Sequence, residues 1–477
     1  MDGSQQPSPL MLSVSGMRGI VGGSLTPEVL TRYGMAIGCW LKAEAAEGSG
    51  LRVAVGRDSR VSGEMVEMAV VSGLLAVGCG VVRLGVVSTP GVGVVARSIG
   101  CIGSVVITAS HNPAPWNGVK VLRADGAAPS AAEASALIER FERGDFEEVG
   151  HESVGRVADH PGPVAVHVDR VLAEVDVQAV REAGLRAVVD STCGAGGEAA
   201  RRLLEALGVG LVHLHAEPTG LFPHPPEPTE ENLKELCSVV AREGVDVGFA
   251  QDTDADRLAL VDETGRYIGE EYTLALCARH LLERSDADGE AGVAGGVVAA
   301  NLSTSRMVDD VVAASGVAGA RVVRSAVGEA NVVTAMLEAG GVIGGEGNGG
   351  IIWDRIGRVR DSIAGMALVC EMLAARKRGD GATLSAIVAE RPAYAMVKAK
   401  VAADAGLIAR LDEVLPGAFP EAAADTQDGV RLDWPDCWVH VRASNTEPIV
   451  RLIAEARDLS RAEALVSAAE RALGLTG

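Results

Sequence analysis

Within GSVVITASHNPAPWNGVKV (103–121), Ser110 is followed by His111, Asn112 and Pro113, and an ammonium group, Lys120, comes ten positions later. The apolar run that stops at Thr108 predicts a buried strand, and Asn112-Pro113 ends it, because proline keeps the residue before it out of the helical region. Ser110 is therefore expected on an exposed loop at a strand end. A hydroxyl beside an imidazole and within reach of an ammonium suits covalent catalysis or the holding of a phosphate, although serines in such turns commonly bond only backbone. A second cluster, DVGFAQDTDADRLALVDETG (246–265), places Asp252, Asp254 and Asp256 between two apolar runs. Hard oxygen donors at alternate positions can converge on one divalent cation, and magnesium polarising phosphoryl oxygens would use such a set. With Glu263 these aspartates also occupy positions one, three, five and twelve of an EF-hand loop, but position six is Arg257 instead of glycine and both flanks look like strands.

Two further stretches carry polar groups of defined chemistry. GGEGNGG (344–350) sets Glu346 and Asn348 among five glycines. On a flexible turn, a carboxylate and an amide can reach paired hydroxyls of a sugar, and a plain turn is the alternative. VRASNTEPIVR (441–451) offers Arg442, Ser444, Asn445, Thr446 and Arg451. These are guanidinium forks, hydroxyls and backbone amides, the groups that cradle a phosphate dianion.

The elements that must position these groups follow a repeated order. LRVAVGRDSRVSGEMVEMAVVSGLLAVG (51–78) predicts strand, polar loop and helix, with Ser62 or Gly63 at the cap. RAVVDSTCGAGGEAARRLLEALG (186–208) and GGVVAANLSTSRMVDDVVAASG (295–316) repeat that order at separations of about 110 to 135 residues, the size of a domain. Three related α/β units follow, each with a mixed, mostly parallel sheet. Hinge-like composition at 158–163, 262–266 and 391–394 separates them, and the tail from 392 predicts a small antiparallel sheet with helices on one face. The expected domains are 1–158, 159–264, 265–388 and an α+β domain at 389–477. SVSGMRGIVGG (13–23) reads as a loop presenting Arg18 between glycines, and proline-dense 217–233 as a long surface loop before a helix starting near Thr229 to Glu231.

The 477 residues suffice for three or four domains at roughly 100–200 each, and the 48% hydrophobic content supplies several cores. With 43 basic against 64 acidic residues the net charge is −21, which repels nucleic acid and anionic membranes where no basic block overrides it, and none is present. Eight scattered cysteines without a C-x-x-C pair suggest neither a disulfide framework nor a zinc site and fit a cytoplasmic setting. No signal peptide and no apolar run of about 18 residues is read.

Taken together, TASHNP (108–113), DTDADR (252–257), GEGNGG (345–350) and RASNTEP (442–448) resemble, in order and across essentially the whole chain, the motifs of the α-D-phosphohexomutase superfamily. The resemblance implies three α/β domains and a distinct fourth around one cleft. It implies that Ser110 is phosphorylated, that Asp252, Asp254 and Asp256 bind one Mg2+ per active site together with a phosphoserine oxygen at Ser110, and that Arg18, His111, Lys120 and Arg257 line the reacting centre. Glu346 and Asn348 would bind the sugar, and Arg442, Ser444, Asn445, Thr446 and Arg451 the phosphate that does not react. A hexose 1,6-bisphosphate is the implied activator, a hexose phosphate the substrate, and the assembly a monomer or homodimer, with no nucleic acid or membrane partner. Two histidines common in relatives are replaced: Gly350 ends a sugar loop that often reads G-E-M-S-G-H, and Glu329 follows Val327-Gly328. Glu329 then becomes a candidate proton relay, with Lys120 or His111 as the other partner. The S-x-S-G-x-R-G start with V-G-E-A-N and G-E-G-N-G-G resembles the phosphoglucosamine mutase branch. The alternatives are a phosphoglucomutase/phosphomannomutase and, in another class, a phosphosugar-binding regulator without turnover.

Overall fold

The computed structural model describes residues 10–288, 296–341, 343–443 and 449–475. They fall into two compact units, Met1–Leu281 with Asn348–Ser385, and Leu282–Gly347 with Ala386–Gly477. No helix among the described residues is long and apolar enough to cross a membrane.

In the first unit, β1 (Met11–Ser13), β2 (Gly16–Ile20), β3 (Arg52–Arg57), β4 (Gly80–Val86), β5 (Gly103–Ile107), β6 (Trp116–Arg123) and β7 (Val157–Asp159) form one sheet, ordered β1-β2-β6-β5-β3-β4-β7. The valine-rich strands β3 and β5 are apolar on both faces because both faces are covered. Val105 and Ile107 join the core packed by helices Pro27–Glu44 and Gly63–Ala76, while Val106 alternates away from it and is equally buried. The sheet is evenly divided: β3 runs parallel to β4 and β5, and β4 to β7, whereas β6 is antiparallel to β5 and β2, and β1 to β2. Two expectations change here. Arg18 lies within β2, opposite Gly118, and not on a loop. Part of the hinge-like stretch at 158–163 is the exposed edge strand β7.

The second sheet of this unit, β8 (Arg186–Asp190), β9 (Gly210–Leu214), β10 (Val247–Gln251) and β11 (Leu258–Asp262), is ordered β11-β10-β8-β9, with only the β10–β11 pair antiparallel. Each predicted strand-loop-helix appears: β3 before helix Gly63–Ala76 and β8 before helix Gly197–Ala206. Ser62 stands at the cap of the former, but its hydroxyl accepts from Asn117 Nδ2 (2.9 Å) instead of capping. The proline-dense loop holds no regular element, and its helix starts at Lys234, later than expected, because Thr229–Leu233 closes a turn first. Nor is this loop merely superficial. Gly220, at φ +68, lies so close to the chain that a Cβ there would sit 2.1 Å from the Ser59 carbonyl oxygen, and Phe222 stacks under Arg60 with 5.1 Å from guanidinium carbon to ring centre.

In the second unit, β12 (Val297–Asn301) pairs in parallel with β13 (Arg321–Ser325) and β14 (Ile343–Glu346), and helix Met307–Ala314 follows β12 as predicted. The next strand, β15 (Gly350–Trp353), belongs to the first unit. The tail forms the expected antiparallel sheet from β16 (Ala395–Ala402), β17 (Ala423–Asp425), β18 (Val430–Asp433), β19 (Trp438–Ala443) and β20 (Ile449–Ala456), ordered β16-β20-β19-β18-β17. Helix Leu459–Ala472 packs its Leu465, Val466 and Ala469 into the same core as Val439, Val450 and Leu452.

Candidate functional site

Three residues past β5, Ser110 adopts φ 49, a left-handed backbone rarely taken by residues other than glycine. Contrary to the expectation of an exposed loop, it is 1% exposed. Its Oγ donates to Asp252 Oδ2 at 2.8 Å, and His111 Nδ1 lies 3.4 Å from the same oxygen. The three aspartates sit in the loop between the antiparallel strands β10 and β11, so the helix-loop-helix of an EF-hand is absent there, and Glu263 instead accepts from the Ser385 N–H (3.0 Å). Alternation across Ala255, itself at φ 54, turns one carboxylate oxygen from each of Asp252, Asp254 and Asp256 to within 4.8 Å of the others.

Cations surround this cluster. From β6, Lys120 Nζ donates to Asp254 Oδ2 (2.7 Å) and Asp256 Oδ2 (3.2 Å), and Arg360 Nη2 reaches Asp256 Oδ2 (2.6 Å). Arg18 Nη1 donates to Asn112 Oδ1 (2.9 Å), and Arg257 Nε lies 3.9 Å from Asp256 Oδ1. Burial, then repulsion from Asp256 and Asp254, pushes Asp252 well above the usual carboxylate range. Burial and Asp256 push Asp254 the same way, but Lys120 and Thr89 outweigh them and hold it low. For Asp256 the opposition to burial comes from Arg360, Lys120 and Arg257, and it too is held low. Burial, reinforced by Arg257 and Arg18, lowers His111 to about 3, so its imidazole is neutral. Asp254 Oδ1 and Asp256 Oδ1 are buried with no hydrogen-bond partner. Two orphaned anionic oxygens beside the Ser110–Asp252 pair fit a divalent cation, so this aspartate triad could hold a metal ion.

The second unit contributes separate groups. Glu346 ends β14 and is buried, not held out on a flexible turn; its Oε1 accepts from Asn301 Nδ2 (2.9 Å) and the Gly328 N–H (3.2 Å). That second bond joins it to the start of helix Glu329–Glu338, whose first residue is half-buried Glu329. Arg442 on β19 stands directly opposite Arg451 on β20, and Arg451 opposite Lys400 on β16. Like charges in register destabilise a sheet unless an anion or carboxylate answers them. Arg442 has Asp428 (3.3 Å), whereas Arg451 Nε is buried without a partner. Ser444, Asn445 and Thr446 lie outside the described residues. Asn348 belongs to the first unit, where its Oδ1 accepts from the Gly350 N–H (3.2 Å) and Gly349 (φ +82) meets the backbone of Leu258.

Sequence reasoning missed Arg360, Lys400, Thr89 and the Asp58–Arg60 pair. Thr89 Oγ1 donates to Asp254 Oδ2 (2.5 Å). Arg60, with a side chain 1% exposed, uses all its guanidinium donors: Nε to Asp58 (3.1 Å), Nη1 to the carbonyls of Pro113 (2.9 Å) and Trp116 (3.0 Å), and Nη2 to those of Ser110 (2.5 Å) and Asn112 (2.6 Å). Thr253, inside the aspartate loop, donates to the Ser110 carbonyl as well (2.7 Å). The one available signal was GRDSR (56–60), an Asp-x-Arg on a polar loop after a strand.

A strained serine hydroxyl bonded to an aspartate cluster fit for a cation, with Lys120 and three arginines around it, is chemically equipped to move a phosphoryl group. Family models for phosphoglucomutase/phosphomannomutase match in sequence: α/β/α domain I over residues 11–148, domain II over 165–265, domain III over 270–394 and the C-terminal domain over 393–472. The chain belongs to the phosphoglucomutase/phosphomannomutase family, whose members are phosphohexomutases. Among its relatives, the "Phosphoglucomutase/phosphomannomutase" of Thermococcus kodakarensis is 36% identical over 94% of both chains. The "Probable phosphoglucosamine mutase" of Methanopyrus kandleri is 39% identical over 94% of this chain and 95% of its own. The crystal structure of a phosphoglucomutase/phosphomannomutase family protein from Burkholderia thailandensis superposes with a TM-score of 0.81 at 28% identity, covering 97% of this chain and 98% of that one. The third matched segment contributes residues to both compact units.

Proposed function

We propose that the chain interconverts glucosamine 6-phosphate and glucosamine 1-phosphate, with Ser110 as the residue that carries the phosphoryl group. The observation that carries this reading is the Ser110 Oγ to Asp252 Oδ2 hydrogen bond (2.8 Å), made inside a buried carboxylate cluster that Lys120 also enters. When bound, Mg2+ supplies Lewis-acid charge neutralisation at the phosphoryl oxygens; Asp252, Asp254, Asp256 and a phosphoserine oxygen at Ser110 would hold it. A free hydroxyl of the hexose phosphate attacks phosphorus, the Oγ–P bond breaks, and the new O–P bond gives a hexose 1,6-bisphosphate. The same bisphosphate added from outside would act as activator by phosphorylating Ser110. Lys120, Arg18 and Arg257 offset the charge spread over the equatorial oxygens, and return of the other phosphoryl group to Ser110 completes the cycle. Glu329 takes the hydroxyl proton, Glu346 and Asn348 bind sugar hydroxyls, and Arg442 and Arg451, with Ser444, Asn445 and Thr446, hold the phosphate that does not react. The Gly328–Glu346 hydrogen bond supports the proton role by tying the start of the Glu329 helix to the sugar glutamate. Eight free thiols support a reducing, cytoplasmic setting.

The glucosamine preference rests on relatives such as the M. kandleri protein, and the name of the T. kodakarensis relative favours glucose or mannose phosphates as the second reading. Comparing kcat/KM for the 6-phosphates of glucosamine, glucose and mannose, with bisphosphate present, decides between them. Glucosamine 6-phosphate is expected to be best; a better glucose or mannose substrate would refute that preference and leave the phosphohexomutase chemistry standing. Glu329→Gln should depress kcat far more than it raises KM, and equal changes in both would move the proton role elsewhere.

A further inference from the structure

A second cluster of metal-ligating side chains lies in the first unit, outside the aspartate triad. Asp190 ends β8, His215 follows β9, and His224 comes from the proline-dense loop. One ligand atom from each lies within 4.8 Å of the others. Asp190 Oδ1 is 3.1 Å from His215 Nδ1, and Asp190 Oδ2 is 3.0 Å from His224 Nε2.

The tautomer of His224 is fixed by its other nitrogen. Nδ1 lies 2.8 Å from the Pro225 carbonyl oxygen, which can only accept, so Nδ1 carries the hydrogen. A neutral His224 therefore turns the Nε2 lone pair toward the Asp190 carboxylate, two acceptors face to face at 3.0 Å. Positive charge must lie between them, supplied by a second ring proton or by a metal ion that takes the proton's place. A ligating histidine characteristically donates its second N–H to a carbonyl or carboxylate: His224 has the Pro225 carbonyl at 2.8 Å, and the Glu235 carboxylate lies near His215, with Oε2 3.6 Å from Nε2, beyond hydrogen-bond distance. Asp190 is itself oriented by the Thr192 N–H (2.8 Å) and is nearly inaccessible to solvent, whereas the histidines keep an open side for entry and for a water as fourth ligand.

We infer that Asp190, His215 and His224 form a binding site for a divalent transition ion of the zinc class, distinct from the aspartate triad. Two imidazoles and one carboxylate favour such an ion over magnesium, which takes oxygen ligands. The site is structural in placement. It joins the ends of two strands to the loop whose Phe222 stacks on Arg60, the residue that holds the Ser110 loop.

The test uses the full-length chain, stripped with chelator and kept in millimolar Mg2+ so that the aspartate triad is occupied, then titrated with Co2+ and afterwards Zn2+. One equivalent of Co2+ should bind with visible d–d absorption, and one equivalent of Zn2+ should displace it and raise Tm. His224→Gln and His215→Asn should each weaken binding by about 100-fold or more, and Glu235→Gln by about tenfold. Asp254→Asn, which spares all three ligands, should leave the spectrum unchanged. The inference is overturned if the wild-type chain binds no stoichiometric Co2+, if the Asp254 variant loses the signal, or if both histidine variants keep it. It is equally overturned if NMR finds His224 doubly protonated in saturating Zn2+, since a proton would then occupy the place assigned to the metal.

Discussion

Replacing Arg60 should disable the Ser110 loop without touching any group assigned to the reaction. The guanidinium makes one bond to Asp58 and four to the carbonyls of Ser110, Asn112, Pro113 and Trp116. Asp58 is buried, and burial already pushes its carboxyl above the usual range against the pull of Arg60. Arg60→Met removes the guanidinium from that carboxylate and from four carbonyls, leaving Asp58 the Thr108 hydroxyl and the Ser110 carbonyl the Thr253 hydroxyl. Breaking a buried pair costs about 3–5 kcal/mol, a large share of a total stability of about 5–15 kcal/mol. Arg60→Lys keeps the charge but has a single nitrogen to serve both ends of the loop, so about 2 kcal/mol is expected. Displacing the Ser110 hydroxyl by about 1 Å should lower kcat roughly 100-fold in the lysine variant while KM moves little. Thermal unfolding and steady-state kinetics of both variants measure these effects. Adding Asp58→Asn to Arg60→Met should recover part of the lost stability, because the stranded charge is then gone. A lysine variant with wild-type kcat and unchanged Tm would refute the clamp.

Ser110→Ala should abolish turnover and phosphate incorporation while costing about 1 kcal/mol, the hydrogen bond to Asp252; near-wild-type activity would remove Ser110 from the reaction. Asp254→Asn should eliminate activity and its magnesium dependence together, and full activity in chelator would exclude a metal role for the triad. Arg451→Met should raise KM by about 10- to 100-fold as a charged contact to phosphate is lost, yet leave stability unchanged or improved by about 0.2–1 kcal/mol, since it relieves the register with Arg442 and Lys400. A loss of stability with unchanged KM would make Arg451 structural.

What the sequence determined by itself is local chemistry and local periodicity. The strand before Ser110, the alternate aspartates between β10 and β11, and the strand-loop-helix repeats all follow from patterns a few residues long, because side-chain alternation and proline geometry act over that range. Which groups meet across the fold was decided only by the tertiary structure. The order β6-β5-β3 brings Arg60 onto the Ser110 loop, 50 residues away in the chain, and Arg360 reaches Asp256 across 104. Strand register, not composition, aligned Lys400, Arg451 and Arg442 in one row. Pairing likewise moved Arg18 from the expected loop into β2 and Glu346 from an expected turn into β14. The burial of Ser110 escaped the sequence for the same reason. Asn-Pro marks where a strand must stop, but the partners that close over that end, Arg60 and Thr253, come from segments whose proximity is set by sheet topology.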